Sequence, residues 1–264
     1  MIFNRDYWKK EWKDLEKREA KFLVKRWNEK TSLIEEKLSD KIPEKLESTL
    51  QTAFTKAFGL VFEKGTAVIE KTYNKEKHSD NFKVNEFAVG LKNSRKNVKA
   101  FSKNANASRT KNILVSAVEG IGFGALGVGI PDIPVFVGVI LKSIYEIALS
   151  YGFEYESVEE QFFILRLIEV SMLHGEEFEN QNNQLNEQID LRMSADITGE
   201  MKQRQIVNAA ACLSKELLYM KFLQGIPIVG IAGGIADSVY LKKITDYADL
   251  KYKRRFLKSK GKCD

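Results

Sequence analysis

Gly122-Phe123-Gly124-Ala125-Leu126-Gly127 spells the G-x-G-x-x-G of a dinucleotide-binding turn, and an apolar run with the character of a buried strand precedes it. That chemistry needs a strand, a glycine turn, a long helix and an acid about twenty residues on, repeated within a parallel sheet. Glu146 stands at a tolerable distance. Pro131 and Pro134, however, interrupt the required helix soon after Gly127, and no further strand-helix units follow. As a helix, the same stretch puts Ala117, Gly120, Gly124 and Gly127 on one side, a small-residue spacing that lets two backbones approach closely. The glycines read as a packing surface.

Other reactive groups are sparse. His78 and His174 have no Cys or acid at ligand spacing, so no metal is expected, and no Ser or Cys stands in a nucleophile motif. Cys212 and Cys263 can form neither a disulfide framework nor a zinc site, which fits a reducing cytosol. No cofactor is expected and no enzyme is indicated. Glu119, Asp132, Glu146 and Asp237 can converge in space, which keeps a carboxylate-dependent hydrolase as a lesser alternative.

Charge carries more information. The formal net charge of +6 hides a segregation: residues 83–111 hold eight Lys or Arg against Glu86, a net of +7, and residues 251–264 hold seven against Asp264, a net of +6. Between them, residues 153–200 hold twelve acids against Arg166 and Arg192, a net of −10. Such polarity favours either pairing of the segments with each other or a partner of one sign. Lys92, Arg95, Lys96, Lys99 and Lys103 recur at steps of three and four, which predicts one cationic face on a helix running from about Glu86 to Asn104.

The elements that must position these residues are helical nearly throughout. Trp8, Trp12, Leu15, Phe22, Leu23, Trp27, Leu33, Ile34 and Leu38 form one apolar stripe on a long Lys/Glu-rich helix. A second helix starts at Pro43 and carries Leu46, Leu50, Phe54, Phe58, Val61, Ile69 and Tyr73 inward. The polar run NKEKHSDNFKVN breaks the pattern. Pro134 opens an apolar helix, Val135 to Tyr151, which Gly152 ends; Ser157 to Glu160 is a capping box for the next, which His174-Gly175 closes. Residues 176–200, rich in Asn, Gln and Glu, read as a polar connector or a partly helical surface excursion. A helix with Ile206, Ala209, Ala210, Leu213, Leu217, Met220 and Leu223 follows, then a last one running into the basic tail. The fold class is all-α, a multi-helix bundle, with residues 1–40 as an N-terminal amphipathic extension, 41–258 as the main helical domain and 259–264 as a basic tail.

Two glycine-rich apolar hairpins stand out. The first centres on Gly120, Gly122, Gly124, Gly127, Gly129, Pro131, Asp132 and Pro134, the second on Pro227, Gly230, Gly233, Gly234 and Asp237. Asn112 to Ile140 is long enough to cross a bilayer, but its proline break divides it into two arms, each marginal for spanning. Two readings stay open: closely packed core helices with Asp132 and Asp237 as caps, or a hairpin that meets a membrane.

KIPEKLESTLQTAFTKAFG (Lys41 to Gly59), GFGALGVGIPDIPVFVGVILKSIYEIALSYGF (Gly122 to Phe153) and IPIVGIAGGIADSVYLKKITDYADLKYKRRFL (Ile226 to Leu257) resemble the EcsC protein family, in order and over nearly the whole chain. Asp237 departs from the pattern, where Asn is common. The resemblance implies a bacterial protein associated with an ABC transporter and without an established catalytic activity.

The first residues, MIFNRDYWKKEWKDLEKRE, have no apolar signal-peptide core, so the expectation is a chain kept inside the cell. The expectation is a non-enzymatic accessory at the cytoplasmic face of the bacterial membrane, binding anionic lipid peripherally through the basic face, with ABC transporter subunits as further partners. The alternative is a soluble helical scaffold that works through protein contacts. Nucleic acid is not expected, because aromatics are not interleaved with the cations and the acidic middle repels phosphates.

Overall fold

The computed structural model describes residues 7–28, 42–115, 132–191, 196–223 and 235–261. All regular structure among the described residues is helical: α1 (Tyr7–Asn28), α2 (Glu44–Leu60), a π-helical turn (Val61–Gly65) leading into α3 (Thr66–Glu70), α4 (Lys75–Leu91), α5 (Arg95–Val115), α6 (Asp132–Ser150), α7 (Val158–Met172), α8 (Gly175–Asp190), α9 (Gly199–Leu223) and α10 (Ile235–Ser259). The protein is an all-α bundle. Gly120 to Pro131 and Pro227 to Gly234, the bodies of the two glycine-rich hairpins, lie outside the described residues. Asp132 and Asp237 are placed by backbone alone, as the first residue of α6 and the third of α10, and Pro134, expected to open α6, is buried as its third residue.

Pro43 caps α2 rather than opening it: its φ is −62°, and its carbonyl accepts from the N–H groups of Leu46 (2.8 Å) and Glu47 (3.3 Å). Leu50, Phe54, Phe58 and Val61 then fall on one buried stripe at helical spacing. α6 is apolar on nearly every side because helices close it in on several sides; α2, α4, α5 and α10 all pack on it. Ile133–Ser150 is long and apolar enough to cross a membrane, with a mean hydropathy of 1.7, yet 83% of it is buried inside the bundle. That segment is a core helix here. It ends as the sequence predicts: Gly152 adopts φ +81°, Phe153 N–H reaches the Ala148 carbonyl and Gly152 N–H the Leu149 carbonyl, both at 3.0 Å. A Cβ at Gly152 would come within 2.4 Å of the Phe82 ring, so close approach and left-handed backbone both demand glycine there.

Three expectations are corrected. NKEKHSDNFKVN is no break; it is most of α4, started by Asn74, whose side chain accepts from Lys77 N–H at 2.7 Å. Its pattern is weak because α4 lies on the surface and buries no residue fully. The single helix expected from Glu86 to Asn104 turns a corner, since α4 stops at Leu91, Lys92 is extended (φ −147°, ψ 106°), and Ser94 caps α5 by accepting from Asn97 N–H. Asn97 Nδ2 locks this corner by donating to the carbonyls of Ala88 and Lys92, both at 2.9 Å. Finally, residues 176–190 of the polar connector form an ordered helix, α8, with Phe178, Asn182, Leu185 and Ile189 buried at steps of four, three and four. Four inward positions, Asn182 among them, hold it against α1, α7 and α10, while its Glu and most of its Asn and Gln residues fill the other face. The N-terminal helix, for its part, packs along α10 and α8.

Candidate functional site

Arg95, Lys96, Lys99 and Lys103 project from the side of α5 opposite its buried Val98, Phe101 and Ala105, and Lys92 stands just before them at the corner. All are exposed except Lys99, which is half-buried. Among the described residues none of these five cations enters an ion pair. The acids nearby are engaged elsewhere: Asp80 with Lys83 at 3.9 Å and Glu86 with Lys260 from beyond α10. The cations occupy the N-terminal half of α5, whereas the first glycine-rich segment follows its far end at Val115, about 18 Å along the axis from Lys103 and about 30 Å from Arg95 at 1.5 Å per residue. The two features adjoin in sequence, but at least half the length of α5 separates the cations from its C-terminal end.

The second basic segment has the opposite fate. Along α10, Lys253 bonds Glu11 at 2.7 Å with both side chains 5% exposed, and Lys251 bonds Glu19 (2.8 Å) and Asn186 (2.6 Å). Arg254 bridges Glu19 (2.7 Å) and Asp190 (2.6 Å), which Lys258 also approaches. Arg255 clasps both oxygens of Glu160, at 2.6 and 2.9 Å, between the rings of Phe153 and Phe163, each 4.2 Å from the guanidinium. One acid on α10, Asp249, is fully buried and takes Arg18 (2.6 Å) and the Tyr151 hydroxyl (2.8 Å). Burial pushes the Lys251 ammonium down to about 8 despite the pull of Glu19. Trp12 lies under Arg254 and Lys258, and Trp8 is buried on Phe256, so two of the three tryptophans dock on the bundle; Trp27 is 52% exposed.

Two further polar clusters were invisible in the sequence because their members are far apart in it. His174 Nε2 lies 2.9 Å from Glu216, which also takes Lys243 at 2.7 Å, while Arg26 reaches the Leu173 carbonyl and His174. Burial pushes the Glu216 carboxyl up, but the His174 hydrogen bond and the Lys243 charge outweigh it and hold the group below its ordinary range. At the end of α3, the Tyr155 hydroxyl donates to Glu70 at 2.7 Å, bonds Tyr73, and stacks its ring on Tyr145 with centroids 4.0 Å apart. Lys75 sits 4.8 Å over the Tyr155 ring and pairs with Glu156. Burial raises the pKa of all three phenols, so they stay protonated.

The carboxylates singled out for catalysis do not converge as far as they are described. Glu146 is buried, 4.0 Å from His78, and stands about 20 Å along α6 from Asp132 at 1.5 Å per residue. Glu119 and the Asp237 side chain lie outside the described residues. Among the described residues no three His, Cys, Asp or Glu side chains gather as a metal set. Burial pushes the Cys212 thiol up to about 12, which makes it a packing residue rather than a nucleophile.

Fold and charge together define a helical protein built around a basic helix whose charges are neutralised internally, with one cationic face left outward. The chain belongs to the EcsC protein family, whose sequence model matches residues 9–257 and so takes in α1 through most of α10. No curated protein and no solved structure matches it.

Proposed function

We propose that this EcsC protein is a non-enzymatic accessory held peripherally at the cytoplasmic face of the bacterial membrane, where Lys92, Arg95, Lys96, Lys99 and Lys103 bind anionic lipid and subunits of an ABC transporter are its protein partners. One observation carries the reading. Of two basic segments with nearly equal net charge, α10 uses its cations on Glu11, Glu19, Glu160 and Asp190, and the corner and N-terminal half of α5 use theirs on nothing described. Each Lys or Arg near an anionic leaflet contributes ~1 kcal/mol, so five supply several, which suits reversible docking. The transporter partnership rests on family resemblance alone.

Liposome flotation tests the lipid reading. The protein floats with anionic vesicles and not with neutral ones, and changing Lys92, Lys96, Lys99 and Lys103 to Gln abolishes flotation; no flotation at low salt overturns it. The exposed Val24 and Trp27 on α1 favour a second reading, a soluble scaffold contacting other proteins through that end of the helix. Under that reading, association with membranes requires a protein partner and is absent from pure vesicles.

A further inference from the structure

We infer that α4 is the insertion element of the docking surface: Val84, Phe87 and Leu91 enter the headgroup region of an anionic bilayer while the neighbouring cations hold its phosphates. The inference rests on the lipid reading of the α5 cations and assigns the apolar half of the same surface. Val84, Phe87 and Leu91 are 64%, 69% and 74% exposed, and their steps of three and four put them on one outward stripe. Single exposed apolar residues are ordinary, but three in a row on one helix are not scattered. The stripe is aimed by what lies beneath it. On the inner side of α4, Phe82 packs edge-on against Phe101 and Phe256 and fills the space over Gly152, so the helix has one fixed rotation.

Charge decides the occupant. Lys83 flanks the stripe and pairs with Asp80, which stands one turn before Val84; Lys92, Arg95 and Lys96 follow at the corner, Glu86 is taken by Lys260, and the remaining acid of this helix, Glu76, lies in its first turn, at the end away from the corner. A second copy of the chain would bring like charge to like charge, and a nucleic acid backbone has no use for Val84 and Leu91. An anionic lipid surface satisfies both halves: apolar side chains buried about 5–10 Å deep at the headgroup boundary, cations at the phosphates. Corner and stripe then lie flat on the membrane, with α4 parallel to its plane.

The test uses the full chain in a Cys212→Ser/Cys263→Ser background carrying Phe87→Cys labelled with an environment-sensitive fluorophore, and vesicles of neutral phospholipid with or without phosphatidylglycerol. On anionic vesicles the probe emission shifts to the blue and is quenched by shallow nitroxide lipids, while the same probe at Ser48, exposed on α2, stays aqueous. In the unlabelled wild-type chain, Val84→Ser/Phe87→Ser/Leu91→Ser weakens partitioning by roughly a thousandfold or more, the loss expected for three apolar side chains returned to water. That loss persists at high salt, unlike the loss from the Lys→Gln changes. If the wild type binds, the Phe87 probe stays aqueous and the triple variant binds unchanged, the insertion is overturned and the cationic reading stands. If the wild type does not bind at low salt, both fall.

Discussion

Glu11→Gln removes the negative half of the most enclosed ion pair linking α1 to α10. Glu11 Oε2 and Lys253 Nζ are 2.7 Å apart with both side chains 5% exposed, so at an effective dielectric of about 20 their attraction is about 6 kcal/mol before desolvation is counted. Desolvation of both ions offsets much of that in the pair, but the variant leaves the ammonium buried beside a neutral amide, and breaking such a pair costs about 3–5 kcal/mol. For a chain of this size each kcal/mol lowers Tm by about 2–4 °C, so a fall of roughly 10 °C is expected by circular dichroism, with a matching drop in the urea midpoint. Glu11→Leu combined with Lys253→Met removes both charges and recovers most of the loss, giving a large coupling energy in the double-mutant cycle. If Glu11→Gln shifts stability by less than about 0.5 kcal/mol, the pair is solvated. The internal neutralisation of α10 is then wrong, and its cations become candidates for an outside partner.

Four further outcomes follow from the geometry. Gly152→Ala forces an L residue to φ +81° against the Phe82 ring and costs at least about 1–2 kcal/mol, read as a lower urea midpoint. Because the folded Glu216 carboxyl titrates below its unfolded value, its stabilisation is complete above the unfolded value and is lost as pH falls through the folded one; between about pH 5 and 3 the urea midpoint of the wild type falls further than that of Glu216→Gln. Lys251, pushed down to about 8 when folded, sheds its proton before the unfolded chain does, so it makes stability rise with pH from about 8 towards 10, and Lys251→Met removes that rise. Asp132→Asn and Asp237→Asn strains with normal protein levels keep the wild-type phenotype; loss of phenotype in either would support the carboxylate-dependent alternative.

What the sequence made legible was local. Gly152 ends its helix, Ser157 accepts from Glu160 N–H, and the Leu50–Phe54–Phe58 stripe faces inward, because caps and periodicity act within a few residues. Even there the capping box is half-built: the Glu160 side chain turns away to Arg255 and Tyr252. α4 was missed because a surface helix needs little apolar pattern, and the corner at Lys92 because Ser94 is a quiet cap inside a cationic run. Pairing was beyond reach. Glu11 and Lys253 are 242 residues apart, and His174 meets Glu216 across 42, so nothing in the spacing announces either. Spacing put four of the five cations on one helix face; only the tertiary structure separates cations that are paired internally from those left outward.

Differential lysine acetylation, read by mass spectrometry with and without anionic vesicles, reports on both basic segments at once. Lys92, Lys96, Lys99 and Lys103 should modify readily in the free protein and become protected on vesicles, while Lys251 and Lys253 resist reagent in both states. Ready modification of Lys251 and Lys253, or reactivity at Lys92 to Lys103 that vesicles leave unchanged in a protein that has bound them, contradicts the account.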